Sequence, residues 1–346
     1  MRQAHLSIDT DALQHNLEVA RQTAPHSKIM SVVKANAYGH GVVQVAKALQ
    51  RSDGFAVACV SEAITLRQHG VTQPLLVLQG AINATEYRAA GMLKMTLVMH
   101  NAQQLALYSG HTENHPDLWL KIDTGMHRLG FAPNQVGEVM QKIQPDCSGF
   151  MTHFSDADDP QKGETSEQLA LFNSLCDAWS LQRSAANSAA LLTRPDTHFD
   201  WVRPGIMLYG ATPLLEGNGA DLGLQPVMTL HAPVISVKTV LAGEAIGYGS
   251  DYVASADIKV AVISCGYGDG YPRLAPTGTK VMLNEQHCEL LGRVSMDMIC
   301  IDVTRLEQCT VGDEAILWGP ELPVENLAQS VGSLSYALLT GVGVHV

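Results

Sequence analysis

The chain has 346 residues, 46% of them hydrophobic, and a formal net charge of −12. That length fits two domains or one large α/β barrel with an addition, and the acidic balance excludes nucleic acid or an anionic membrane as the natural partner, since both need clustered Lys and Arg. The seven cysteines form no C-x-x-C pair, so neither a zinc ribbon nor a disulfide framework is expected, and reduced thiols in a cytoplasm are.

The opening segment from Met1 to Ser7 lacks the apolar stretch of a signal peptide, and no apolar run is long enough to span a bilayer. Asp9, Thr10 and Asp11 offer N-caps for a first helix through Ala20. Eight short apolar runs then read as strands: Ile29–Val33, Gly54–Val60, Pro74–Leu78, Met95–Val98, Asp117–Ile122, Gly149–Thr152, Gln182–Ala186 and Val202–Leu208. Helical patterns fall between most of them, at Val42–Arg51, Ser61–His69, Asn83–Ala90, Asn101–Ser109, Pro133–Ile143 and Thr165–Trp179. This alternation predicts parallel strands and a (β/α)8, TIM-like barrel, with an open doubly wound sheet as the alternative. Beyond Gln225-Pro226 the texture changes to short strands with Gly-rich turns: Pro233–Val240, Lys259–Ser264, Lys280–Leu283, Cys288–Leu291, Met298–Val303 and Glu314–Trp318. A mostly β domain over 226–346 is therefore expected to follow a barrel domain over 1–225, with a boundary near Gly217–Pro226.

Several strand ends carry chemistry-bearing residues. Lys34 follows an apolar strand and opens Lys34-Ala35-Asn36-Ala37-Tyr38-Gly39-His40-Gly41. A lysine there either packs its stem and sends its head to solvent, or is a desolvated amine able to form a Schiff base. A second β run delivers Lys121-Ile122-Asp123-Thr124-Gly125-Met126-His127-Arg128. Its arginine suits a carboxylate or phosphate, or a salt-bridged loop. His153 is a structural histidine, a base or a metal ligand; the Asp156, Asp158 and Asp159 run beside it reads as a solvated loop, and no metal is expected. Asn187-Ser188 and Arg203-Pro204-Gly205-Ile206 sit at the seventh and eighth strands, where barrels commonly place phosphate. Tyr248 stands between two glycines as a packed edge residue or an exposed phenol.

These motifs, with Gly266-Tyr267-Gly268-Asp269-Gly270, Gly292-Arg293-Val294-Ser295-Met296 and Ser335-Tyr336, resemble those of bacterial alanine racemases over nearly the whole chain. The resemblance implies a homodimer acting on L- and D-alanine with pyridoxal 5'-phosphate (PLP). Lys34 would carry the cofactor as a Schiff base and serve as the base for the D-alanine proton. Tyr248, from the partner subunit, would serve the L-alanine proton. Tyr38, Ser188, Gly205, Ile206 and Tyr336 would hold the phosphate, Arg203 would face the pyridine nitrogen, and His153 would link Tyr248 to Arg203. Arg128 and Met296 would meet the substrate carboxylate, Tyr267 would line the access path, and Lys121 would be carbamylated. The tail from Thr340 to Val346 lacks the Arg expected by the same resemblance. A racemase of broader range and a PLP-dependent decarboxylase of the same fold remain alternatives, and both biosynthetic and catabolic roles for D-alanine stay open.

Overall fold

The computed structural model describes residues 3–111, 114–159 and 161–342; the last four residues of the tail lie outside them. β1 (His5–Ile8) leads into a helix over Thr10–Thr23, capped by Asp9, whose Oδ1 accepts from the amides of Asp11 and Ala12 at 2.9 Å. Eight parallel strands then close a barrel: β2 (Lys28–Val32), β3 (Gly54–Val57), β4 (Leu75–Val77), β5 (Thr96–Met99), β6 (Asp117–Lys121), β7 (Cys147–Met151), β8 (Gln182–Ser184) and β9 (Trp201–Val202). β9 pairs back to β2 through Lys28↔Trp201 and Ile29↔Val202. Phe55, Ala56 and Val57, and Leu75, Leu76 and Val77, are completely buried, because a parallel strand is covered by the barrel interior on one side and by helices on the other.

The second unit is antiparallel. It comprises β10 (Met228–Val240), β11 (Ala245–Ile246), β12 (Tyr252–Val253), β13 (Ile258–Ile263), β14 (Lys280–Leu283), β15 (Gln286–Leu291), β16 (Ile299–Asp302) and β17 (Glu314–Trp318). The main sheet runs β1-β10-β13-β16-β15-β14-β17, and β17 also pairs with β10, so the ladder returns on itself. β11 and β12 form a separate hairpin.

Three local features differ from the sequence reading. The expected strand over Val202–Leu208 is a two-residue strand followed by a 3-10 turn at Ile206–Tyr209, because Pro204 has no amide to donate to a ladder. His5–Ile8 is a strand, and it belongs to the second unit's sheet, pairing with β10 over Met228–His231. The stretch after Lys34 is a left-handed turn: Ala35, Asn36, Ala37 and Tyr38 have φ of 53°, 52°, 55° and 52°. Each such L-residue costs roughly 1–2 kcal/mol of backbone strain, so the turn requires partners that hold it.

Candidate active site

The residues of interest gather at the C-terminal ends of the barrel strands, the rim where such barrels place chemistry. Lys34 lies two residues past β2, Lys121 ends β6, His153 lies two residues past β7, and Arg203 directly follows β9. They line a cavity of about 580 Å³ together with Tyr38, Arg128, Ser188, Gly205, Ile206 and Tyr336, a size suited to a small cofactor and its substrate. Tyr336 reaches it from the final helix, Ser335–Val342, so the second unit helps to close the barrel mouth.

The electrostatics of this cavity are cationic. Burial lowers the Lys34 ammonium pKa from its ordinary value, Arg128 and Arg203 lower it further, and Glu62 opposes them. Burial, then Arg203 and Arg128, brings the Lys121 amine down to about 8, so an appreciable fraction is neutral near physiological pH. Burial lowers Arg203 to about 10, which still leaves it charged. Its guanidinium donates to Ser184 Oγ at 2.6 Å, the Thr152 carbonyl at 2.7 Å, the Ala185 carbonyl at 3.1 Å and His153 Nδ1 at 3.3 Å. An arginine has no acceptor, so His153 Nδ1 carries the lone pair. Burial and the same cations hold His153 well below its usual range, and the ring is neutral.

The same cavity is lined by a group of hydrogen-bond donors suited to phosphate. Ser188 Oγ accepts from the amides of Gly205 and Met207 at 2.8 and 3.5 Å, which leaves its own proton free to donate. Asn187 caps the short helix over Ser188–Thr193 by accepting from the Ala190 amide. A Cβ on Gly205 would stand 2.7 Å from the Tyr38 hydroxyl, so glycine is required for the backbone to come this close to the phenol. Tyr38 stacks on Tyr209 with centroids 4.8 Å apart and stands 6.0 Å from Tyr336. Burial pushes the Tyr336 phenol up to about 12 and Tyr38 higher still; both stay protonated and can donate.

The residues that hold the lysine turn were not apparent from the sequence. Glu62, in the first turn of the helix Val60–Gln68, accepts from the Ala35 amide with one oxygen and from the Ala58 amide with the other, both at 2.7 Å. Asn36 Oδ1 accepts from the Val42 amide at 2.9 Å. A Glu in a helical first turn reads as macrodipole compensation, and nothing in its spacing shows that its partners lie after β2 and β3. Glu62→Ala leaves the part-buried Ala58 amide unpaired, at about 1–3 kcal/mol, and releases the exposed Ala35 amide to water, loosening the turn. The expected result is a melting temperature lowered by several degrees, measured by calorimetry; an unchanged transition would show that the turn is held otherwise.

Asp123 organises the Arg128 loop: Oδ1 accepts from the amides of Gly125 and His127 at 3.1 and 3.0 Å. Arg128 itself is exposed at the cavity mouth.

Tyr248, Tyr267 and Met296 do not join this cavity within one chain. They are 71%, 39% and 53% exposed on the second unit. Tyr248 sits on the β11–β12 connection, where Gly247 and Gly249 take φ of 75° and 78°. The Tyr267 amide donates to the Ser295 carbonyl at 3.1 Å and the Gly268 amide to the Met296 carbonyl at 2.7 Å. Arg293 pairs with Asp251 between these turns. The three side chains thus project from adjoining turns on one solvent-facing edge.

Residues 8–213 match the alanine racemase N-terminal domain, and residues 227–346 match the alanine racemase C-terminal domain. The chain belongs to the alanine racemase family. It is 44% identical to the biosynthetic alanine racemase of Escherichia coli O6:H1 over 98% of its own length and 97% of that protein. It is likewise 44% identical to the alanine racemase of Vibrio atlanticus, with the same coverage. The crystal structure of the biosynthetic alanine racemase from Pseudomonas aeruginosa superimposes with a TM-score of 0.95 at 43% identity, covering 99% of this chain and 97% of that one. As in the family, this is an isomerase whose TIM-like barrel precedes an antiparallel β domain.

Proposed function

We propose that the chain racemises alanine with PLP seated in the barrel cavity, Lys34 and Tyr248 acting as the two bases, and Tyr248 supplied by a second copy of the chain. The observation that carries this reading is the placement of a partly desolvated Lys34 amine in one cavity with the donors Ser188, Tyr38 and Tyr336 and the close-approach Gly205. The donor set fits the group: hydroxyls and a backbone with no Cβ face one end, and the Arg203 guanidinium with neutral His153 lies deeper. When bound, PLP withdraws electrons from the substrate and acidifies Cα–H.

The chain's own groups account for the rest. Lys34 Nζ, its pKa lowered by burial and by two arginines, takes and returns a proton on one face of Cα. Arg203 stays cationic and would keep a cofactor ring nitrogen beside it unprotonated, which would favour reprotonation at Cα over loss of the amino group. Arg128 presents a fork for the substrate carboxylate, and a carbamate on Lys121, whose amine is partly neutral, gives that fork an anionic partner. Racemisation needs a second base on the opposite face. The cavity-lining residues of one chain leave Tyr248 outside, so a homodimer with shared sites supplies it, and His153, hydrogen-bonded to Arg203, is the group it meets. The cysteine content suits a cytoplasmic setting, and no helix among the described residues is long and apolar enough to cross a membrane. The biosynthetic relatives support a role in supplying D-alanine for cell-wall peptide.

The test is optical purity over time, with purified protein and PLP, starting separately from L- and D-alanine, with and without added bicarbonate. Convergence of both to a near-equal mixture is expected, faster with bicarbonate if Lys121 takes up carbon dioxide. A fixed optical rotation from either side, with carbon dioxide released or another amino acid racemised instead, would overturn the substrate assignment.

A further inference from the structure

The β domain's sheet carries a cluster outside the cavity lining that the racemisation chemistry does not use. His5 on β1 and His231 on β10 are directly opposed in the antiparallel register. Glu314 on β17 flanks β10 from its other side, where Pro233↔Glu314 are partners. His5 Nε2 lies 3.2 Å from Glu314 Oε1, and His231 Nδ1 lies 3.5 Å from Glu314 Oε2. The three ligand atoms all fall within 4.8 Å of one another, and among the described residues this is the one group of three or more His, Cys, Asp or Glu with such spacing.

We infer that His5, His231 and Glu314 form a structural site for a divalent transition-metal ion of the zinc type, which clips the first strand of the chain onto the β domain. Two nitrogens and a carboxylate are a common zinc donor set. With bonds of about 2.0–2.1 Å, a tetrahedron has edges of roughly 3.3 Å; each histidine nitrogen already lies at about that distance from one of the two Glu314 oxygens, and a small carboxylate rotation or bidentate binding would present the carboxylate to one ion. The remaining ring nitrogens are occupied as metal-bound histidines require. His5 Nδ1 lies 3.4 Å from the Gln3 carbonyl, and His231 Nε2 lies 2.8 Å from Ser7 Oγ. With Nδ1–H donated to the carbonyl, the inward Nε2 of His5 keeps its lone pair. His231 Nδ1 is shielded from solvent yet makes no hydrogen bond, an orphaned buried atom that a metal would satisfy. The rings lie nearly parallel with centroids 5.0 Å apart; the His5 side chain is 54% exposed, so it is free to tilt and bring both lone pairs onto one ion. Water would occupy the fourth position. The site had no signature in the sequence because its ligands lie on three strands far apart along the chain.

The experiment is a zinc titration of the chelator-treated full-length protein in parallel with His5→Ala, Glu314→Gln and Ser7→Ala, followed by calorimetry. The parent is expected to bind one zinc ion more than His5→Ala or Glu314→Gln. Zinc is also expected to raise its melting temperature by roughly 3–5 °C, with that rise absent from both ligand variants. Ser7→Ala should bind at the same stoichiometry, on the order of 10–100-fold more weakly. All three positions are at the surface or its margin, and each variant's melting temperature in chelator reports its folding. Cobalt(II) in place of zinc should give the visible absorption of a tetrahedral nitrogen–oxygen site in the parent and, at higher metal concentration, in Ser7→Ala, but in neither ligand variant. Equal stoichiometry and equal thermal shifts in parent and ligand variants, or no zinc-dependent shift in the parent, would overturn the assignment and leave a surface His–Glu ion pair.

Discussion

Lys34→Ala eliminates racemisation from both enantiomers, by at least about 10⁴-fold. On the proposed roles the size follows from two losses at one position: a positioned acid–base group is worth about 10²–10⁴-fold, and loss of a covalent cofactor anchor would add to it. The amine is also the cavity's adaptable nucleophile, because burial and the Arg128 and Arg203 charges hold it below the ordinary lysine range. Arg128 and Arg203 cannot substitute, since a guanidinium does not deprotonate in this environment. The fold should tolerate the change, because the turn is held by Glu62 and by backbone bonds such as Ala37 amide to Val33 carbonyl at 2.9 Å rather than by the lysine side chain. The measurement pairs the optical-purity assay with borohydride reduction of the PLP complex. Activity above about one part in a hundred, or a reduced adduct still attached to the Lys34→Ala protein, would show that another amine does this work.

Tyr248→Phe produces the second-largest effect, about 10²–10⁴-fold on net racemisation, with a melting temperature close to the parent's because the ring is 71% exposed in the isolated chain. The loss should be one-sided. Exchange of the Cα proton of D-alanine with deuterated water, which needs Lys34 alone, persists, whereas exchange from L-alanine collapses. Mixing Lys34→Ala chains with Tyr248→Phe chains then tests where the phenol comes from. Each heterodimer keeps one site with both groups intact, so random reassortment should restore about a quarter of the parent activity. No recovery in verified heterodimers would mean that Tyr248 does not cross between subunits.

Much of the fold was legible because the barrel is built from local units. Each apolar run and each helical pattern between Ile29 and Trp179 signals itself, and their order prescribes a parallel sheet. Boundaries moved where a residue from elsewhere decides them. Gly54–Val60 shortened to Val57 because Val60 starts the next helix, and Val202–Leu208 lost its strand character after Val202. The cavity residues were legible for a different reason. Lys34, Lys121, His153 and Arg203 are polar groups closing buried strands, a costly position without a purpose. Glu62 was not, since its two partners are backbone amides brought near only by barrel closure. Tyr248, Tyr267 and Met296 were tied to the cavity by the family resemblance and not by their own residues, since within one chain they lie outside its lining.

The pairing of β1 with β10 also constrains how the chain acquires its shape on the ribosome. His5 waits for His231, 226 residues later by their numbering, which at about 5–20 residues per second is roughly ten to forty-five seconds of synthesis. During that interval the barrel can close behind the Thr10–Thr23 helix, but the leading strand has no ladder to join, and its amides and carbonyls stay available to any extended segment nearby. The polar residues His5 and Ser7, alternating along this strand with Leu6 and Ile8, make it a poor template for another chain. The earliest-made strand of this sheet is thus the one that waits longest for its partner.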